Sequence, residues 1–272
     1  MKRGRTKRQA NPKPSLTKVE LGAGSFNRAV LILRSLAQDA HRGTSIRDIV
    51  IRTGLPRPTV HRVLNQLMDA NWIEEGDGAQ IYLGKDLACL GLAAIVRHPL
   101  QRIADQALER LAREMEQTVY LTLRVGYEAV CLARYEPENP IQTLVLQVGT
   151  REALGIGAGG MAILASLHES EARQIIEKNM QRYRQRSNFD EAAFQRAHDV
   201  ARSRGHAAHD GLFRKGLSGI GVAVKDAAKN PLAAISTAFV SDWLDQSQRD
   251  HCAKLLQKAA ADLSDELSLS RG

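Results

Sequence analysis

Residues 54–67 read Gly-Leu-Pro-Arg-Pro-Thr-Val-His-Arg-Val-Leu-Asn-Gln-Leu. Val60, Val63, Leu64 and Leu67 recur at three- and four-residue spacing, which predicts a helix with one buried face. Pro56 and Pro58 suit its first positions, where a missing N–H costs little. Gly54 suits the turn before it. Upstream, Ser45 and Asp48 form an S-x-x-D capping pattern ahead of Ile46, Ile49 and Val50, so a second helix ends at that glycine. Phe26, Val30, Leu33 and Ala37 predict a first amphipathic helix. Helix, glycine turn and helix make a helix-turn-helix. Trp72-Ile73 and Ile81-Tyr82-Leu83 flank Glu74-Glu75-Gly76-Asp77-Gly78 and predict a β-hairpin wing. Its acidic flank suits packing better than insertion into a groove.

The polar side of the 54–67 helix carries the functional signal. Arg57, Thr59, His61, Arg62, Asn65 and Gln66 stay outside the apolar stripe. They combine phosphate-binding cations with side chains able to read base edges. The N-terminal part of a recognition helix enters the major groove. Arg57, Thr59 and His61 are therefore expected near bases, and Arg62 and Arg47 nearer phosphates. The competing reading is the solvated face of a core helix. Charge distribution favours DNA: seven arginines lie between residues 28 and 62 against Asp39 and Asp48, whereas residues 63–80 hold Asp69, Glu74, Glu75 and Asp77 and no Lys or Arg.

The order SFNRAVLILRSLA at 25–37, GLPRPTVHRVLNQL at 54–67 and IYLG at 81–84 resembles the IclR-type family of bacterial transcriptional regulators. GLPRPTVHR is the most specific part, and the resemblance extends more loosely to about residue 265. It implies a winged helix-turn-helix followed by a GAF-like domain that binds small metabolites, often organic or aromatic acids. It also implies a homodimer through the N-terminal units, or a homotetramer through the C-terminal ones as well.

A length of 272 residues suits two domains, and 43% apolar residues suffice for packed cores. Of the net charge of +8, residues 1–18 contribute +7 through Lys2, Arg3, Arg5, Lys7, Arg8, Lys13 and Lys18. Residues 1–23, with Pro12 and Pro14, read as a disordered basic tail. Such a tail can follow a phosphate backbone or enter a minor groove. No apolar run approaches the roughly 18 residues of a membrane span, and no signal-peptide core is present. Cys89, Cys131 and Cys252 are odd in number and far apart, which fits a reducing cytoplasm and no cysteine-zinc site.

Residues 24–84 thus read as the DNA-binding domain, 85–98 as a linker helix and 99–272 as the effector-binding domain. In the last, 100–117 reads as a helix. Residues 119–125, 130–135 and 141–148 read as strands, and 159–180 and 190–204 as helices. Strands at 219–225 and 232–240 and a helix at 246–267 follow. Strands in runs with helices set apart indicate an α+β fold with an antiparallel sheet.

The stretch from Leu154 through Gly155, Ile156 and Gly157 to Gly160 precedes a helix, so free N–H groups there suit a carboxylate. Tight helix–sheet packing is the alternative use of those glycines. It is no phosphate-binding P-loop, since no Gly-Lys-Ser/Thr follows. The resemblance implies ligand-facing positions at Asp210, Gly219, Ser236 and Ala238. Some family members carry cysteine, serine and proline where Gly219, Ala238 and Ala223 stand, and an acid shortly after the Asp210 position. A wall of glycine and alanine with fewer polar anchors implies a larger aromatic or hydrophobic acid.

Neither a metal, a cofactor nor catalysis is indicated. His206 and His209 would face opposite sides of a strand and lack partner ligands. Ser218, His206 and Asp210 are the residue types of a hydrolase triad, but no G-x-S-x-G elbow occurs. The reading is a transcriptional regulator acting on a double-stranded operator under control of a small-molecule effector. The rivals are a constitutive DNA binder with a vestigial sensor domain and, further off, a DNA-tethered enzyme.

Overall fold

Local capping sets the helix ends in the N-terminal unit of the computed structural model, which describes residues 24–40, 42–97, 100–138, 146–186 and 189–269. Helix α1 (Ser25–Ala37) is followed by α2 (Ile46–Thr53) and α3 (Arg57–Asp69). Ser45 caps α2: its Oγ accepts the Asp48 N–H at 3.1 Å and donates to Asp48 Oδ2 at 2.8 Å. Gly54 ends α2 in the left-handed conformation, φ 66°, with its N–H on Val50 O. Pro56 is the N-cap of α3, and Arg57 and Pro58 form its first turn. Strands β1 (Ile73–Gly76) and β2 (Gln80–Leu83) pair antiparallel as the wing, and Thr44 adds a bridge to Ile81.

Ile32, Leu36, Ile49, Val60, Val63, Leu64, Leu67, Ile73 and Ile81 form the core of this unit. The phase expected for α1 is corrected here: Phe26 is 73% exposed, and the buried stripe runs through Ile32 and Leu36. Arg52 is also a correction, because it belongs to the core, not to the cationic surface. Its side chain is 5% exposed, donates to Ser35 O at 3.1 Å and pairs with Asp39. This pair ties α1 to α2 and removes one arginine and one acid from the exposed charge.

Helix α4 (Lys85–Arg97) carries the boundary between the two compact units, which divide between Ala93 and Ala94. Leu90 and Leu92 on it are exposed. In the second unit, α5 (Leu100–Met115) leads into β3 (Val119–Val125), β4 (Glu128–Tyr135) and β5 (Arg151–Ala153). Then come α6 (Gly157–Ser166) and α7 (Glu169–Arg184), where a single helix over 159–180 was expected, and α8 (Glu191–Arg204), close to the helix expected at 190–204. His168 splits that segment by capping α7, its ring accepting the Ser170 N–H. The chain ends in β6 (Ala207–Asp210), β7 (Leu217–Lys225), β8 (Pro231–Val240) and α9 (Gln246–Leu269).

The sheet runs β5-β4-β3-β8-β7-β6, antiparallel throughout, which makes the unit α+β. Of the strand expected at 141–148, residues 141–145 lie outside the described residues, as does the tail, and 146–148 are not in a strand. One sheet face packs on α5 and α9 through Leu108, Leu121, Ile220, Ile235 and Leu256. The other packs on α6, α7 and α8 through Ile163, Leu164, Tyr183 and Phe194. Alternation along each strand decides which side chains meet α6.

Candidate DNA interface and effector cavity

On α3, Val60, Val63, Leu64 and Leu67 are buried, while Arg57, His61, Arg62, Asn65 and Gln66 are exposed. Arg57, His61 and Asn65 follow one another at four-residue spacing, so they form a single stripe along the helix. Arg57 Nε lies 3.4 Å from His61 Nε2, which aligns the two within that stripe. Thr59 is half-buried at the border of the stripe, and Arg47 is exposed on α2. The wing exposes Glu74 and Glu75 and holds Asp77 in its turn.

In the second unit, a cavity of about 120 Å³ lies between the first turn of α6 and the sheet. Its sheet wall comprises Tyr120 and Thr122 of β3, Cys131 of β4, Gly219 of β7 and Ser236 and Ala238 of β8. The helix wall is Ile156, Gly157, Ala158 and Gly159. Ile156 N–H is bonded to Ala153 O at 3.0 Å, which leaves Gly157, Ala158 and Gly159 as the first-turn donors. A Cβ on Gly159 would lie 3.0 Å from Thr122 Oγ1 and 3.1 Å from Ser236 Oγ, so both hydroxyls crowd that turn. Close approach of α6 depends on Gly221, where a Cβ would meet Ala158 O at 2.5 Å.

His209, Arg186, Arg214 and Glu152 add polar groups to the lining, and Phe213 adds an aromatic ring. Burial pushes the His209 imidazole down to about 4, against an opposing pull from Asp210. Arg186 pairs with Glu152. Burial pushes the Cys131 thiol up to about 11, so it stays protonated and unreactive at neutral pH. This is more polar than the expected wall of glycine and alanine.

Several sequence expectations for this site are corrected. Asp210 lies outside the cavity lining. Its Oδ1 accepts hydrogen bonds from Ser241 at 2.6 Å and Ser218 at 2.8 Å, and Arg249 lies 3.4 Å from Oδ2. The serine bonds and Arg249 hold its carboxyl below the usual carboxylate range. Alternation in β6 gives the cavity side to His209 instead. Leu154 is fully buried and its carbonyl accepts the Tyr183 hydroxyl. A Cβ on Gly155 would strike Leu164, Tyr183 and Phe194 at 2.9–3.0 Å, so packing governs that half of the loop. Ile156, Gly157, Gly219, Ser236 and Ala238 do line the cavity. His206 contacts Gln257 and Arg204, and no group of three or more metal-type ligands occurs among the described residues.

Residues 25–77 match the IclR helix-turn-helix domain, and residues 92–265 match the C-terminal domain of the bacterial transcriptional regulator IclR. The chain belongs to the IclR family. It is therefore an IclR-family transcriptional regulator with an effector-binding C-terminal domain, and members of this family are regulators, not enzymes. The Escherichia coli K12 transcriptional repressor AllR is 25% identical over 265 residues, 97% of each chain. The glycerol operon regulatory protein of Streptomyces coelicolor is 26% identical, covering 78% of this chain and 82% of its own.

Solved IclR-family structures share the fold. A regulator from Alicyclobacillus acidocaldarius superposes with a TM-score of 0.74 at 22% identity, covering 90% of this chain and 98% of its own. An IclR homologue from Microbacterium hydrocarbonoxydans, crystallised with 4-hydroxybenzoate, gives 0.70 at 21% identity and covers 90% and 99%. Among the described residues no helix is long and apolar enough to cross a membrane.

Tyr120, Thr122, Cys131, Arg186, His209, Phe213 and Arg214 were absent from the sequence-derived site. Strand alternation groups Tyr120 with Thr122 on one face of β3 but does not say that this face meets the cavity. Nothing in the sequence brings Arg186 or Arg214 to the same cavity, because their neighbours there come from distant strands.

Proposed function

We propose that this IclR-family regulator binds a double-stranded operator through Arg57, His61, Arg62 and Asn65 of α3, with Thr59 at the stripe's edge and Arg47 on phosphate. An organic acid, aromatic in its preferred form, is its effector. It acts in the cytoplasm as a homodimer or homotetramer, since one winged helix covers only one half-site. The effector changes operator affinity by binding one arrangement of the protein better than another.

The observation that carries the acid assignment is the crowding of Thr122 and Ser236 hydroxyls on the open first turn of α6. Helix N-terminal N–H groups and two hydroxyls are all donors to a carboxylate. Tyr120, Ile156, Phe213 and Ala238 supply apolar contact for its body. An apolar cavity of about 150 Å³ takes up benzene, so the roughly 120 Å³ here is on the scale of a single ring and no larger. The bound 4-hydroxybenzoate of the Microbacterium homologue is a compound of this class.

The test is isothermal titration of the full chain with benzoates and with two- and three-carbon acids. Saturable binding of a benzoate that also changes operator affinity supports the reading. Tight binding confined to the small acids overturns it. Mapping the promoter occupied in cells then narrows the ligand, because neighbouring genes name the chemistry being regulated.

A further inference from the structure

His209 is held in the cavity wall by packing. Its ring stands edge-on to Phe213 with centroids 4.8 Å apart. Its Nδ1 is buried and has no hydrogen-bond partner among the described residues. Buried polar atoms are nearly always paired, and an unpaired one is costly to keep. The backbone does not force a large residue here. Across the β6–β7 pair stands Gly219, and the ring occupies the space a side chain there would fill. His209 thus brings to the cavity wall an imidazole with one nitrogen unmatched by protein.

The ring's chemistry narrows what completes it. Burial keeps the imidazole neutral near pH 7, so it offers one donor and one acceptor and no charge. A carboxylate only accepts, and the donors of α6, Thr122 and Ser236 already suit it. A hydroxyl both donates and accepts, and therefore satisfies either tautomer of the ring. The ring and the hydroxyl pair meet different parts of α6: Gly219, against His209, abuts Ala158, whereas Thr122 and Ser236 abut Gly159.

Resting on the acid-effector reading above, we propose that His209 is the specificity-determining contact for an uncharged hydroxyl on the effector, which makes that effector a hydroxy acid.

The experiment titrates the full chain with benzoate and with its ortho, meta and para hydroxy derivatives, in the native protein, His209→Leu and His209→Asn. Expected is at least one hydroxy isomer binding the native protein about tenfold tighter than benzoate. That preference, read as the ratio of the two affinities within each variant, falls below about twofold in His209→Leu. His209→Asn, which keeps a donor and an acceptor, restores part of it. Titrations in buffers of different ionisation enthalpy should show no proton uptake.

Three results overturn the inference. The hydroxyl preference can survive in His209→Leu, binding can take up a proton, or His209→Leu can lose benzoate and hydroxybenzoate alike. If no benzoate binds the native protein, the acid-effector reading itself fails and this inference falls with it. That outcome is distinct from acids binding without regard to the hydroxyl.

Discussion

His209 and Gly219 face each other across the β6–β7 pair, and a Cβ on Gly219 would lie 3.0 Å from His209 Nε2. The glycine is what lets a whole imidazole stand in the cavity wall. The same burial couples the ring to stability. Its value is pushed from 6.5 to about 4, so the folded state binds the proton less readily than the unfolded chain. Stability contributed by the neutral ring is present above pH 6.5 and is lost as pH falls toward 4. The other charged groups around it are Asp210 on its own strand and Arg186, Glu152 and Arg214 in the cavity lining.

The loss should reach about 3 kcal/mol across that window. Each unit holds one of the two tryptophans, Trp72 and Trp243. Urea melts followed through Trp243 in a Trp72→Phe background therefore isolate the C-terminal unit. His209→Leu should flatten the pH dependence between 6.5 and 4. An unchanged slope would remove His209 as its source.

Arg57 stands at the start of the exposed stripe on α3. Arg57→Ala should weaken specific operator binding by about 1–3 kcal/mol if it reads a base. Its effect on a scrambled duplex should be much smaller, as anisotropy titrations of both duplexes would show. Equal losses on both would reassign Arg57 to phosphate.

Residues 1–18 carry seven of the chain's cations and no acid. Removing them should lower affinity on every duplex and reduce the dependence of affinity on salt. A salt slope identical to that of the full chain would exclude the tail from DNA.

Arg52 ties Ser35 and Asp39 of the α1 end to α2 from a buried position. Arg52→Met leaves Asp39 without that charge partner. It should cost the N-terminal unit about 2–3 kcal/mol, less than for a fully buried pair because Asp39 keeps some solvent contact. Urea melts read through Trp72 in a Trp243→Phe background measure this. A loss under about 0.5 kcal/mol would mean that the pair contributes no more than a surface ion pair.

Gly221 lets the backbone of α6 touch β7. Gly221→Ala should destabilise the C-terminal unit by about 1–3 kcal/mol through overpacking. It should also displace the first turn of α6 and so weaken effector binding. Native stability together with native effector affinity would show that α6 accommodates the extra carbon.

The helix-turn-helix was legible because its signals are local. Ser45 and Asp48 meet within one turn, Gly54 caps within the helix it ends, and the apolar residues of α3 lie on one face by spacing alone. Phe26 was misread because α1 carries apolar residues on more than one side, and only packing against α2 and α3 selects Ile32 and Leu36. Arg52 counts among the seven arginines in the sequence because nothing in its own segment reveals Ser35 O on α1 and Asp39 in the turn after it.

Of the positions expected to face an effector, Ile156, Gly157, Gly219, Ser236 and Ala238 line the cavity, while on β6 it is His209 and not Asp210 that does. In a strand of only four residues at the sheet edge, a shift of one position exchanges the cavity face for the opposite one. The loop from Leu154 to Gly157 divided for a similar reason. Tyr183 and Phe194, far along the chain, claim Leu154 and Gly155 for the core.

By itself, then, the sequence determined the order of elements in the N-terminal unit, the caps that end α2 and begin α3, and the polar stripe of α3, all set by interactions within a few residues. Only the tertiary structure decided which of two adjacent residues on β6 faces the cavity, which arginine is core, and which distant strands share that cavity. Those outcomes depend on side-chain volume and charge meeting across elements that the chain brings together only when it folds.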